Sequence, residues 1–211
     1  HNVSVIINKF LHKSDIDNIM NVIKALKNVK YYFVEDLGLV SILPKSQVVV
    51  SQNHIINNYD SINYFKSLGY NKVLINNDLT ISEIKSSHIF MYYISKNNLM
   101  YSKRHLISSF NEYKKDNLEM IGTINEKVSN HELIIKEENC GTCIFNSRIF
   151  SANKYIDELD TVGKIVNLSN MSIDETSIIL DNLCNKEISK LIKVDDYFLD
   201  NKIAYKVGDL K

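Results

Sequence analysis

Apolar residues along the chain fall into two alternating kinds of segment. Short β-branched runs predict buried strands, beginning with "VSVII" (Val3–Ile7) and continuing with "KYYFV", "QVVV", "KVLI" and "HIFMYYI". Between them lie stretches with helical spacing. "SDIDNIMNVIKALKN" places Ile16, Ile19, Met20 and Ile23 on one face, with Ser14 or Asp15 as N-cap. "LGLVSIL" predicts a short helix stopped by Pro44, and "NYDSINYFKSLGY" a helix whose Gly69 falls at the C′ position. "TISEIKSS" predicts another, with Thr80 and Glu83 spaced as a capping box.

After the fifth strand the pattern changes. "KRHLISSFNEYKK" has helical character, and "EMIGTINEKVSNHELIIKEEN" predicts an antiparallel hairpin. A strand at "GTCIFNS", a helix around Asn153–Leu159, the strand "KIVNL" and a long amphipathic helix from Asp174 to about Ile192 complete the series. Strand–helix alternation with nearly all-apolar strands is the pattern of a parallel sheet covered by helices, so the fold class is α/β. A doubly wound sheet and a TIM-like (β/α) barrel both fit. The expected organisation is one barrel-like domain over 1–211, with a hairpin and Gly-Thr region at 118–150 inside it. A complete eight-unit barrel needs about 250 residues. A chain of 211 that opens directly on a strand predicts an incomplete barrel, or a piece of a longer chain.

Composition narrows the function classes. Acidic and basic side chains are equal in number, so the footprint of a protein held to nucleic acid mainly by phosphate contacts is missing, although a local basic patch remains open. No apolar run approaches the roughly 20 residues of a membrane span. Three cysteines, an odd number, argue against a disulfide framework and for a reducing cytosol. No Gly-x-Gly-x-x-Gly or Walker loop follows a strand, and neither His-Glu-x-x-His nor Gly-x-Ser-x-Gly occurs.

In either architecture ligands bind beyond the carboxyl ends of the strands. Those ends carry Asn8-Lys9, Glu35-Asp36, Ser51-Gln52-Asn53-His54, Asn76-Asn77-Asp78 and Tyr92-Tyr93. Loops are polar and Asn and Asp cap helices, so any single position has a structural explanation. As a set the rim is polar and amide-rich.

At "ELIIKEENCGTCIFNS" the sequence resembles the collagenase-like peptidases of unassigned mechanism, peptidase family U thirty-two. Glu137, Glu138, Gly141, Thr142, Ile144, Asn146 and Ser147 fit that family's acidic pair, Gly-Thr and strand ending in Asn-Ser. "VSVIINKF" resembles its strand ending in Asn, here Asn8. "VEDLGLV" resembles its Asp-Leu-Gly turn at Asp36–Gly38. "NNYDSINYFKSLGYNKVLINNDLTISEI" resembles its helix–Gly–strand–loop–helix unit, and "YSKRHLISSF" its Ser-x-Arg segment at Ser102–Ile107. The likeness runs in order from about Val3 to about Ser169. It implies a TIM-barrel-like domain entered at about the third strand. It also implies an activity of one of two kinds, peptide hydrolysis or oxygen insertion into RNA bases and quinone precursors. Small cytosolic members resemble the tRNA wobble-uridine hydroxylation proteins, for which the partners would be RNA or a small carboxylate. A homo-oligomer or a partner chain could complete the barrel, and a membrane is not expected.

Several members hold a four-cysteine iron–sulfur cluster. Here His105 stands where one such cysteine would be, and "NEYKKDNLEMI" contains none. Asn77-Asp78 and "NLSN" (Asn167–Asn170) stand where the family has Arg-Glu and Glu-Gly-Arg. No cofactor and no metal site are expected. Cys140-x-x-Cys143 is one ligand pair where a tetrahedral site needs two, and its second cysteine leads into a strand rather than a helix N-terminus. Both thiols are expected to be structural.

The expected catalytic residues are Arg104, Glu137 and Asp36, with Asn8, Asn53, His54, Lys103 and Thr142 binding substrate. The Arg104 guanidinium suits a carboxylate or phosphate, or is a solvated cation at a helix start. Glu137 and Glu138 suit acid–base work or pairing with Arg104, or are charges at a strand end. Asp36 orients a cation or caps the following helix. His54 is an acid–base group or a loop histidine. Tyr92, Tyr93 and Tyr101 stack bases or pack the sheet. A catalytically degenerate binding domain is the alternative to both enzymatic classes.

Overall fold

The computed structural model describes residues 2–51, 56–84, 89–127 and 130–200. In chain order the strands are β1 (Val3–Ile7), β2 (Val29–Val34), β3 (Val48–Val50), β4 (Val73–Ile75), β5 (Ile89–Ser95), β6 (Asn98–Ser102), β7 (Ile121–Asn125), β8 (Glu132–Glu138), β9 (Gly141–Asn146), β10 (Ile149–Ser151), β11 (Gly163–Val166) and β12 (Val194–Asp195). The helices are α1 (Lys13–Ala25), α2 (Leu37–Ile42), α3 (Tyr59–Ser67), α4 (Leu106–Lys114) and α5 (Ile173–Asp181). The chain divides into two compact units. One comprises residues up to Tyr92, Tyr155–Ile165 and the segment from Tyr197; the other comprises Tyr93–Lys154 and Val166–Asp196.

The first unit is built from the predicted β/α repeats. β1 through β5 pair in sequence order and all in parallel, as the apolar runs require. This is the strand order of a TIM-like barrel left incomplete, and among the described residues β1 pairs with β2 alone. α2 runs until the residues before Pro44. α3 is capped by Asn58, whose side chain accepts from Ser61 N at 2.8 Å. It ends at Gly69, whose φ of +89° is the left-handed value that a C′ glycine adopts without cost. The N-cap of α1 falls two residues before Ser14 and three before Asp15, the two predicted caps. His12 is its N-cap, and Asp15 reaches back to His12 N at 2.9 Å. Its apolar stripe is half-buried, with no residue fully enclosed.

The pleat sorts this sheet into two faces. Phe33, Val49, Leu74 and Phe90 form a cluster on one, joined by Tyr31, Tyr92 and Ile165. Phe33 and Phe90 meet edge to face at 5.1 Å, the favoured geometry for aromatic rings. β11 comes so close to Phe90 that a Cβ on Gly163 would lie 2.5 Å from Phe90 Cε1. The other face carries Val34, Val48, Val50 and Ile75, all buried, as are Leu39 and Val40 of α2 and Ile62 and Phe65 of α3.

Thr80–Ile84 is a turn rather than the start of a helix. Glu83 does reach back, accepting from Thr80 N at 2.9 Å. The turn is held instead by Ile81 N donating to Leu199 O at 3.1 Å, a tertiary bond that the local spacing does not encode. The predicted remainder of that helix, 85–87, lies outside the described residues.

The second unit contains an antiparallel sheet in the order β6-β9-β8-β7. The predicted hairpin is β7–β8, and "GTCIFN" is the strand β9. β10 pairs antiparallel with the end of β5 and parallel with β12. The predicted helix at Asn153–Leu159 is a single 3-10 turn, Asn153–Tyr155. The predicted long helix to Ile192 stops at Asp181. Asn153 explains the stop: its Nδ2 donates to the carbonyls of Asn182, Leu183 and Asn185 at 3.0–3.3 Å. Those carbonyls are thereby taken from the helical ladder, and no local periodicity signals it. At the start of α5, Ser172 and Glu175 form a capping box, and Glu175 also accepts from the buried Lys96 at 3.0 Å.

Candidate functional site

Two groups of polar residues stand out, one in each unit. In the first, the pleat places Glu35 two residues beyond Phe33, Ser51 beyond Val49, Asn76 beyond Leu74 and Tyr92 beyond Phe90. A polar layer therefore lies directly above the aromatic layer, on the same face and at the carboxyl ends of the strands. Glu35 is held in the ladder by its N–H, which donates to Ile7 O at 3.1 Å. Its side chain is 8% exposed. Burial pushes its carboxyl up to about 7, against the opposing pull of the Lys9 ammonium. Burial, with the Glu35 charge as a second cause, pushes the Tyr92 phenol up to about 12. At neutral pH this layer thus holds a carboxyl poised between its two forms and a protonated phenol.

Asp36, one residue on, does something else. Its Oδ1 accepts from Leu39 N at 3.1 Å and its Oδ2 from Leu11 N at 3.0 Å. It is the N-cap of α2 and pins the segment before α1. The Asp-Leu-Gly turn follows from this, since a side chain at Gly38 would come within 3.0 Å of Asp36 Oδ1. Asn8 is exposed after β1. Asn76 is drawn into its own turn, donating to Asp78 at 2.6 Å. Asn53 and His54 lie outside the described residues.

In the second unit the Glu137–Thr142 motif surrounds the start of α4. Glu137 Oε2 accepts from Ile107 N at 2.6 Å and Ser108 N at 3.2 Å, and Oε1 accepts from the Ser108 hydroxyl. Thr142 Oγ1 accepts from Leu106 N at 3.0 Å and donates to Arg104 O at 2.8 Å. Three of the helix's orphan N–H groups are therefore satisfied from strands distant in sequence. Burial alone would raise the Glu137 carboxyl. The bonds from Ser108, Ile107 and Thr142 outweigh it and hold the group below the usual carboxylate range. His105 Nδ1 lies 3.4 Å from Glu137 Oε1. Gly141 is fixed by close approach, because with its φ of +128° a Cβ would stand 2.2 Å from Ser102 O.

Arg104 and Lys103 are exposed on the turn before this helix. The backbone of Arg104 is anchored at both ends, its N–H donating to Ser102 Oγ at 3.2 Å and its carbonyl accepting from Thr142. Among the described residues its guanidinium makes no ion pair with Glu137 or Glu138; Glu138 pairs with Lys136 at 2.6 Å. Of the tyrosines, Tyr93 is buried and Tyr101 donates to Cys140 O at 2.6 Å.

None of the three cysteines is in a disulfide: Cys140 is half-buried in the β8–β9 turn, Cys143 buried in β9 and Cys184 exposed. Among the described residues no group of three or more His, Cys, Asp or Glu side chains is arranged to hold a metal ion. Among them, too, no helix is long and apolar enough to cross a membrane.

Sequence reasoning placed Asp36, Glu137, Thr142 and Arg104 among the chemistry-bearing positions but set Glu35 aside as part of a polar rim. The signal was present: Glu35 continues the inward phase of Tyr31 and Phe33, an acid on the buried face of an apolar strand.

Parallel β/α units with polar strand ends define an α/β protein built as an incomplete TIM-like barrel. The model of peptidase family U32 matches residues 1–169, and the chain belongs to that family. No curated protein and no solved structure matches it.

Proposed function

We propose that the chain is a cytosolic RNA-modifying enzyme of the tRNA wobble-uridine hydroxylation type. The observation that carries this is Arg104: a guanidinium exposed beside Lys103, on a backbone that Thr142 and Ser102 hold still. A cation fixed in this way suits a phosphate or carboxylate, and its delocalised fork can donate to two oxygens at once. The strand-end layer of the first unit supplies polar groups for a small substrate. A peptidase would need a nucleophile or a metal, and the sequence holds neither of the two protease and hydrolase signatures. A degenerate binding domain is the second reading, favoured by the capping work that occupies Asp36, Glu137 and Thr142.

The test is deletion of the gene, mass spectrometry of total tRNA nucleosides, and restoration with wild type or Arg104→Ala. Loss of a hydroxylated uridine that wild type restores and Arg104→Ala does not is the expected result. An unchanged nucleoside profile would leave the binding domain as the better account, and release of peptides from a soluble substrate would support the peptidase.

A further inference from the structure

We propose that the outer edge of β7 and the apolar groove beside it bind a second copy of this chain, the two β7 strands pairing antiparallel about Thr123 into one continuous sheet. Among the described residues β7 is the end strand of the β6-β9-β8-β7 sheet, and all five of its residues are exposed. Its ladder to β8 fixes which way each peptide group points. Glu137 N donates to Met120 O and Glu126 N to His131 O, and the register between those bonds is unbroken. Alternate residues of an antiparallel strand turn their backbone groups to opposite sides. Gly122 and Ile124 therefore face β8, while Ile121, Thr123 and Asn125 aim their N–H and C=O groups outward. Such an edge is a template for another strand, against which proteins set bulges, prolines and charges. The opposite end strand, β6, has an irregularity between Asn98 and Met100. β7 is Ile-Gly-Thr-Ile-Asn and has none of these devices.

The edge is complementary to itself. Pairing about Thr123 sets Thr123 against Thr123 and Ile121 against Asn125, so each outward donor meets an outward acceptor. The same register sets Ile124 of one copy opposite Gly122 of the other, with side chains on one face. Gly122 and Ile124 lie across from Ile135 and Leu133, and this face, with Ile107 and Phe110 of α4, lines an open groove of about 580 Å³. A Cβ on Gly122 would meet nothing within 4 Å. The incoming Ile124 thus enters space that the glycine leaves empty. Phe110, Leu118, Met120 and Ile121 flank the seam and are 44–50% exposed in the single chain, so pairing removes apolar surface from water. Two residues past the ends of β7, Glu119 comes level with Lys127 of the second copy, and the two-fold axis repeats the pair. Both are exposed, and among the described residues neither is in an ion pair. A shift of register to either side leaves an outward residue beyond the end of its partner and parts these charges.

This goes beyond the modification role and does not depend on it. The experiment is analytical sedimentation of the full chain over a range of concentrations, with circular dichroism to confirm that each variant is folded. Wild type is expected to form a dimer and nothing larger, since pairing consumes the edge. Glu119→Lys is expected to weaken the dimer about tenfold, because the pair and its symmetry copy both become repulsive. Adding Lys127→Glu exchanges the signs and is expected to restore it. Thr123→Pro removes an N–H that β8 does not use and is expected to give a monomer. Thr123→Cys under mild oxidation is expected to cross-link to its own copy, because the Cα spacing of a hydrogen-bonded pair, about 5.5 Å, suits a disulfide. Ile121→Cys, which faces Asn125, is expected to cross-link no more than wild type with its exposed Cys184. A monomer at every concentration overturns the proposal and leaves the edge to a strand of another protein. A dimer unchanged by Glu119→Lys and Thr123→Pro also overturns it, placing the contact on a different surface. Equal cross-linking through Ile121→Cys and Thr123→Cys would overturn the pairing about Thr123.

Discussion

The carboxylate of Glu137 accepts the backbone N–H of Ile107 at 2.6 Å across thirty residues of sequence. Residues of β8 thus provide the N-terminal cap that α4 lacks locally, since His105 offers no side-chain cap of its own. Glu137→Ala leaves the Ile107 and Ser108 amides without their acceptor in a buried place. It is expected to cost about 2–3 kcal/mol, combining a lost cap with unsatisfied donors. Glu137→Gln keeps an acceptor and loses less. Urea denaturation of the two variants measures both.

The same contact sets a pH dependence. Glu137 is held below the usual carboxylate range in the folded protein. Its contribution is therefore present above that ordinary range and is lost as pH falls through the depressed folded value. Acid denaturation of wild type should be steeper than that of Glu137→Gln, whose amide has no proton to gain. Equal slopes would show that the cap is electrostatically neutral.

Glu35 behaves in the opposite sense. Its folded value is raised to about 7 from an ordinary 4.5, so the folded state holds the extra proton and stability declines as pH rises between those values. At about 1.4 kcal/mol for each unit the full effect is on the order of 3 kcal/mol. The stability of Glu35→Gln relative to wild type should rise by that order between pH 4 and pH 8 and then level off. A difference that does not change with pH would place the Glu35 carboxyl in water rather than in the layer.

Much of this architecture was legible in the sequence, and the exceptions have physical causes. β3, β4 and β5 announce themselves because they are buried on both faces and so are almost wholly apolar, whereas β1 is as apolar but leaves Val3 and Ile6 exposed. Asn58, Asp36 and Gly69 act where local spacing puts them, since caps are short-range devices. α5 ends early because Asn153 takes its following carbonyls, a contact across about thirty residues that no window along the chain contains. Glu137 and Thr142 stood out through resemblance, but their partners Leu106, Ile107 and Ser108 emerge only once β8 and β9 lie against the start of α4. Glu35 was visible as a charge and not as a buried one, because the apolar floor beneath it comes from four different strands.

Thr142 joins the motif to Arg104 through a single hydroxyl. Thr142→Val keeps the shape and removes both the bond to Leu106 N and that to Arg104 O. A cost of about 1–3 kcal/mol is expected from the unsatisfied buried groups, with Thr142→Ser close to wild type. If Arg104 meets RNA, Thr142→Val should also lower modification in cells at a temperature where the variant remains folded. Loss of stability without loss of modification would separate Thr142 from the cation it anchors.

Gly163 offers a test of the aromatic layer. Gly163→Ala directs a methyl group to within 2.5 Å of Phe90 Cε1, so the ring must move and with it its edge-to-face contact with Phe33. Overpacking of this kind costs about 1–3 kcal/mol. Shortening the neighbour should relieve it: Gly163→Ala combined with Phe90→Leu is expected to be less destabilised than the two single variants added together. Residues in contact couple in this way, whereas independent ones add. Strict additivity in a thermal-unfolding cycle would mean that β11 moves aside rather than pressing on the ring, and the layer beneath Glu35 would then be looser than the close approach of Gly163 implies.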